Sequence, residues 1–119
     1  MIKFGLIGYG RIGERHVQHI MAHPDAMLIG VYDIKDDRQN LFRNTYKEIQ
    51  TYDSLQDILK DAVIDMLSIC TPNNTHSDIA IAGMLAGKHV LVEKPMAIRK
   101  LDCEGMIHIA LKTGKSLFV

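Results

Sequence analysis

Apolar residues along this chain alternate between short continuous runs and longer stretches at helical spacing. The runs are Ile2–Ile7, Met27–Tyr32, Val63–Cys70 and His89–Val92, with shorter ones at Ile49–Tyr52 and Ser116–Val119. All are of strand length, and Val63–Cys70 is nearly all apolar, as a parallel strand covered on both faces requires. Between the first two, Ile12, His16, Val17, Ile20 and Met21 recur at helical spacing, and Pro24 ends that helix. Asp36–Phe42 predicts a short helix through Leu41 and Phe42. Ser54 is placed to cap a helix carrying Leu55, Ile58 and Leu59. Thr75 with Asp78 predicts a capping-box start for a helix carrying Ile79, Ala82 and Leu85, with Gly87 as its C′ residue. Cys103, Met106, Ile107, Ala110 and Leu111 fit the i, i+3, i+4, i+7, i+8 stripe of one more helix, ended by Gly114.

Strands alternating with helices imply a parallel sheet joined by right-handed crossovers. The predicted class is α/β: a Rossmann-type doubly wound sheet, strand order 3-2-1-4-5-6, in three α/β/α layers. The 119 residues make one domain, large enough to bury a proper core. No repeat, linker or low-complexity segment divides residues 1–119.

Composition removes several functions. Fourteen basic and fourteen acidic residues cancel, so nothing in the charge suggests nucleic acid or an acidic membrane surface. The apolar runs are too short to span a bilayer, and Ile2–Ile7 is too short for a signal-peptide core. Cys70 and Cys103 form no C-x-x-C and read as reduced, buried small residues of a cytoplasmic protein.

The chemistry gathers at Gly8-Tyr9-Gly10-Arg11-Ile12-Gly13, a G-x-G-x-x-G pattern between the first strand and first helix. Gly8 turns the chain, Gly10 leaves room for a pyrophosphate, and Gly13 lets helix and strand approach. The helix N-terminus then offers free N–H groups and partial positive charge to phosphates. Asp33 ends the second strand about 20 residues beyond the last glycine, where a carboxylate accepts the adenosine ribose hydroxyls. It would repel a 2′-phosphate, which favours NAD over NADP, although Lys35 and Arg38 are close enough in sequence to offset that. The ligand loops at the carboxyl ends of the strands are then Gly8–Gly13, Asp33–Asp36, Thr71–His76 and Glu93–Pro95. His16, His19 and His23 share a helical face but lack a further zinc ligand, so no metal is assigned. Gly114-Lys115-Ser116 precedes a strand where a phosphate loop must follow one.

At Cys70-Thr71-Pro72-Asn73, His76 and Glu93-Lys94-Pro95 the chain resembles the Gfo/Idh/MocA oxidoreductases. The order of signals is similar throughout: the glycine loop with His16 three residues later, Asp33, Thr71-Pro72-Asn73-x-x-His76, Ala86-Gly87-Lys88-His89-Val90, then Glu93-Lys94-Pro95. The resemblance implies hydride transfer between NAD(P) and a ring hydroxyl of a sugar, sugar nucleotide or cyclitol. It implies that Lys94 lies by nicotinamide and substrate, orienting both and shuttling or stabilising a proton. Thr71, Pro72, Asn73 and His76 would wall the nicotinamide half, with Cys70 and Pro95 beside them and Glu93 bracing the loop.

Members of that family continue after the sixth strand into a substrate domain, so the resemblance covers their cofactor half. The expectation is that these residues alone bind NAD weakly, turn nothing over, and self-associate as a homo-oligomer through the open sixth-strand edge. A module that binds NAD(H) for regulation or sensing without turnover is the alternative; Lys94 favours the enzyme. A methyltransferase is disfavoured by the complete glycine pattern and by Lys94.

Overall fold

The computed structural model describes residues Met1–Val119. In chain order its elements are β1 (Ile2–Ile7), α1 (Arg11–Ala22), β2 (Ala26–Tyr32), α2 (Asp36–Thr45), β3 (Gln50–Thr51), α3 (Leu55–Lys60), β4 (Met66–Ile69), α4 (His76–Leu85), β5 (His89–Val92), α5 (Lys100–Thr113) and β6 (Leu117–Phe118). A single turn of 3₁₀ helix, Asn73–Thr75, leads into α4. The six strands form one parallel sheet in the order β3-β2-β1-β4-β5-β6, as the sequence predicts.

Alternation along the strands divides the core. Leu6, Leu28 and Val31 meet Val17 and Ile20 of α1 and Phe42 of α2 on one face. On the other, Ile7 and Leu67 pack with Ile58 of α3, while Ile69, Val90 and Val92 pack with Met84 of α4 and Met106 of α5. Helices therefore cover both faces of β1 and β4, which is why those strands read as continuous apolar runs. The α1 face is covered only in part. Register aligns Leu6, Ser68, Leu91 and Phe118 in one row across the sheet. Beyond Ser68 that row runs out to Leu91, half-buried, and to Phe118, 52 % exposed.

Several boundaries differ from the sequence prediction. β4 begins at Met66 rather than Val63, because the Asp61 carboxylate accepts the Val63 N–H and turns the chain there. α2 runs on to Thr45, which brings Tyr46 against the Phe42 ring at 5.1 Å. Ser54 caps α3 as expected, its hydroxyl accepting the Asp57 N–H at 3.1 Å. Thr75 makes no capping bond; its hydroxyl turns back to the Thr71 hydroxyl and the Pro72 carbonyl, so the 3₁₀ turn replaces the predicted capping box. In α5 only Met106 of the predicted stripe is fully buried, while Ile107 and Leu111 are exposed. No helix is long and apolar enough to cross a membrane.

Candidate cofactor site

The three glycines of the first loop are not equivalent. Gly8 sits at φ +95°, and a Cβ there would lie 2.6 Å from the Cys70 carbonyl oxygen. A Cβ on Gly13 would lie 2.1 Å from the Gly8 carbonyl oxygen. Neither distance is attainable, so the fold itself demands glycine at both. At Gly10 the nearest atom would be the Arg38 guanidinium at 3.5 Å, an ordinary contact. The chain leaves that position open. No side chain caps α1, and its backbone ladder begins with the Glu14 N–H on the Gly10 carbonyl at 2.9 Å.

Of the loop's side chains, Arg11 and Ile12 are exposed. The Tyr9 ring turns inward, 5 % exposed and edge-on to Phe42, so only its backbone lies at the site. Its hydroxyl donates to Glu14, which also accepts from the Tyr46 hydroxyl at 2.7 Å and Gln18 at 3.0 Å. Burial pushes the Glu14 carboxyl up, but the three hydrogen bonds together outweigh it and hold the group below its ordinary value. The Glu14 bond, then burial, raise the Tyr46 phenol to about 12.

Asp33 is 5 % exposed. Its Oδ2 accepts the Tyr9 N–H at 2.7 Å and its Oδ1 the Lys35 N–H at 2.8 Å. A carboxylate has about four acceptor positions, so two remain for hydroxyls of a ribose. The Asp33 N–H donates to Gln39 Oε1 at 3.0 Å, and Gln39 Nε2 donates to the Tyr52 carbonyl at 2.7 Å. This buried amide fixes the end of β2, and nothing in its spacing announces it. Arg38 Nη1 stands 3.9 Å from Asp33 Oδ2, between that carboxylate and Gly10.

The remaining loops follow β4 and β5. Gly8 lies against Cys70 and Thr71, so these loops meet the glycine turn directly. Burial, with Glu93 nearby and the Ser68 hydroxyl partly opposing, pushes the Cys70 thiol up to about 12; it is a packed thiol rather than a nucleophile. His76 is 1 % exposed, its Nδ1 2.9 Å from the Pro95 carbonyl oxygen and its Nε2 2.9 Å from that of Thr71. Both ring nitrogens are thus engaged inside the chain. Pro72, Asn73 and Lys94 are exposed, and Lys94, preceding a cis Lys94–Pro95 bond, has no hydrogen bond or ion pair. Glu93 Oε1 lies 3.0 Å from His16 Nε2, whose Nδ1 is 2.5 Å from the Ser68 hydroxyl. His16 shows in the sequence only as a position on the buried stripe of α1; a polar ring there needs a partner, but spacing does not say which.

His19 and His23 line a groove of about 390 Å³ along α1 with Ile2, Phe4 and Leu91, and His16 and Ser68 form part of its wall. It reaches the amino-terminal ends of β1 and β2, away from the glycine turn. No three His, Cys, Asp or Glu side chains converge as a metal site would require.

The oxidoreductase family with an NAD-binding Rossmann fold, GFO_IDH_MocA, matches over residues 2–119. A myo-inositol 2-dehydrogenase of Thermotoga maritima is 32% identical over 117 residues, covering 98% of this chain and 35% of its own length. A scyllo-inositol 2-dehydrogenase (NADP(+)) of Bacillus subtilis is 32% identical over 114 residues, covering 96% and 35%. The crystal structure of the WlbA dehydrogenase from Bordetella pertussis, in complex with NADH and UDP-GlcNAcA, superposes with a TM-score of 0.90 at 34% identity, over 96% of this chain and 34% of that one. The chain spans about a third of the length of the curated relatives it matches.

Proposed function

The chain belongs to the GFO_IDH_MocA oxidoreductase family with its NAD-binding Rossmann fold, and from that premise we propose that residues 1–119 form the cofactor-binding domain of a dehydrogenase. The reaction is hydride transfer between a nicotinamide dinucleotide and a ring hydroxyl of a cyclitol or sugar nucleotide, the substrates named for its relatives. Gly10 carries this reading, because it is the one glycine of the loop whose missing side chain the fold does not explain. A ligand that must touch the backbone there does explain it.

The residues present fit such a cofactor. When bound, it supplies the hydride acceptor or donor. The first-turn N–H groups of α1 hold the pyrophosphate, and Asp33 accepts the ribose hydroxyls while disfavouring a 2′-phosphate. NAD is therefore preferred to NADP, with Arg38 as the group that limits the preference. Thr71, Pro72 and Asn73 border the nicotinamide end, with Cys70 and His76 behind them and Pro95 alongside. Lys94 projects from that end with its ammonium unpaired, and there it orients the substrate hydroxyl and exchanges a proton with it. Groups that close a pocket around the substrate come from outside these residues.

The same reading places the protein in the cytoplasm, where its free Cys70 and Cys103 stay reduced. It also makes a homo-oligomer the natural state, since β6 is an open edge with Phe118 beside it. Calorimetric titration tests the assignment. Gly10→Val should abolish NAD binding while circular dichroism remains unchanged; a folded variant that binds NAD as the unmutated chain does would sink it.

A further inference from the structure

We propose that His16 and His76 are positioning residues that hold Lys94 between them, each gripping one of its two neighbours from a different helix. This rests on Lys94 being the lysine at the reacting end of the cofactor.

Lys94 cannot place itself. It is exposed and unpaired, and its side chain is long and flexible. Main-chain bonding gives no help either. The Glu93 N–H reaches the Ile69 carbonyl at 3.2 Å, and after it residues 94–98 make no backbone–backbone hydrogen bond. The segment is anchored by side chains instead. On its upstream side Glu93 is met by His16 of α1, and on its downstream side the Pro95 carbonyl is met by His76 of α4.

Each grip is backed by a second contact. A carboxylate only accepts, so the His16 proton lies on Nε2, and Nδ1 accepts from the fully buried Ser68 hydroxyl. The result is a directed chain from β4 through α1 to Glu93. Since α1 opens on the glycine loop, the same helix that presents N–H groups to the phosphates also sets the residue before Lys94. His76 lies with Nδ1 2.9 Å from the Pro95 carbonyl oxygen and Nε2 2.9 Å from that of Thr71, and a proton on Nδ1 makes the grip on Pro95. That ring laces the two loops of the nicotinamide end together. Both nitrogens of each imidazole are already engaged within the chain, with His16 at a side-chain exposure of 17% on the wall of the α1 groove and His76 at a residue exposure of 1%. Their role is therefore to position, not to react.

The test is nuclear magnetic resonance on the isotopically labelled chain, with and without NAD. In the unmutated chain, Lys94 should be as ordered as α5 by the heteronuclear Overhauser effect. His16 should carry its proton on Nε2 with Nδ1 bare, and His76 should be protonated at Nδ1. In His16→Ala and in Glu93→Ala the Lys94 amide should become mobile. The NAD-induced shift of its ε-methylene should fall at least twofold, while Gly8–Gly13 amides still respond. Combining the two substitutions should add nothing further, as partners in one contact require. His16→Gln should restore order, because its amide can accept from Ser68 and donate to Glu93. A folded His16→Ala chain with Lys94 as ordered as before would overturn the proposal, as would a bare His76 Nδ1. The ring and order measurements need no cofactor, so a failure of NAD to shift Gly8–Gly13 would count against the cofactor assignment alone.

Discussion

The two ends of the candidate site are built by different means. At the adenosine end, the glycine loop, Asp33 and the start of α1 are held by main-chain groups: Tyr9 and Lys35 N–H on the Asp33 carboxylate, and Glu14 N–H on Gly10. At the other end, residues 94–98 make no backbone–backbone hydrogen bond; side chains from α1 and α4 meet Glu93 and the Pro95 carbonyl, and Met96 and Ala97 pack against the core. A backbone-held site depends on local spacing and tolerates few residue types. A side-chain-held site depends on partners far apart in sequence, such as His16 and Glu93, 77 residues distant.

Substitutions that separate steric demand from ligand demand break this contrast most sharply. Gly13→Ala drives a methyl into the Gly8 carbonyl and should cost about 3 kcal/mol or more. Gly10→Ala meets only a flexible arginine and should cost less than about 1 kcal/mol. Urea unfolding decides this, and equal losses at the two positions would refute the distinction. Asp33→Ala comes next. It orphans the Tyr9 and Lys35 N–H groups and should cost about 2 kcal/mol. The ratio of NAD to NADP affinity should also narrow in calorimetry, and an unmutated chain that prefers NADP would assign Arg38 as a phosphate clamp.

Ser68→Ala probes the other end. It leaves His16 Nδ1 without a donor inside the chain and should cost about 1 kcal/mol, with binding at the glycine loop unaffected. The smallest effect concerns acid. Glu14 is held below its ordinary value in the fold, so its contribution to stability is present above the unfolded carboxyl range, near pH 4.3, and is lost as pH falls through the lower folded value. Burial of the partly exposed group opposes its three hydrogen bonds, so the net contribution should stay under about 1 kcal/mol. Unfolding midpoints measured from pH 6 to pH 3 should fall less steeply in Glu14→Gln than in the unmutated chain, and parallel slopes would show that Glu14 contributes nothing.

What could be read from the sequence was what short-range chemistry writes into spacing. Strand and helix periods differ, so the alternation of β1 to β6 with five helices was legible, and with it the sheet order. The glycine pattern and Asp33 were legible because a turn off a strand, and the length of the one helix and one strand that follow it, each fix a spacing. Lys94 stood out only through resemblance to a family. Boundaries such as the late start of β4 escaped because Asp61 redirects the chain by a side-chain bond that hydropathy does not register. The exposed Ile107 and Leu111 escaped because period tells which residues share a face, not whether anything packs against it. Only the folded chain could decide that Tyr9 turns into the core, that Gln39 supports Asp33, and that His16 and His76 meet the two neighbours of Lys94. Those are contacts between residues that the crossovers of the sheet bring together, and a hydrogen bond formed across such a distance leaves no periodic trace in the sequence.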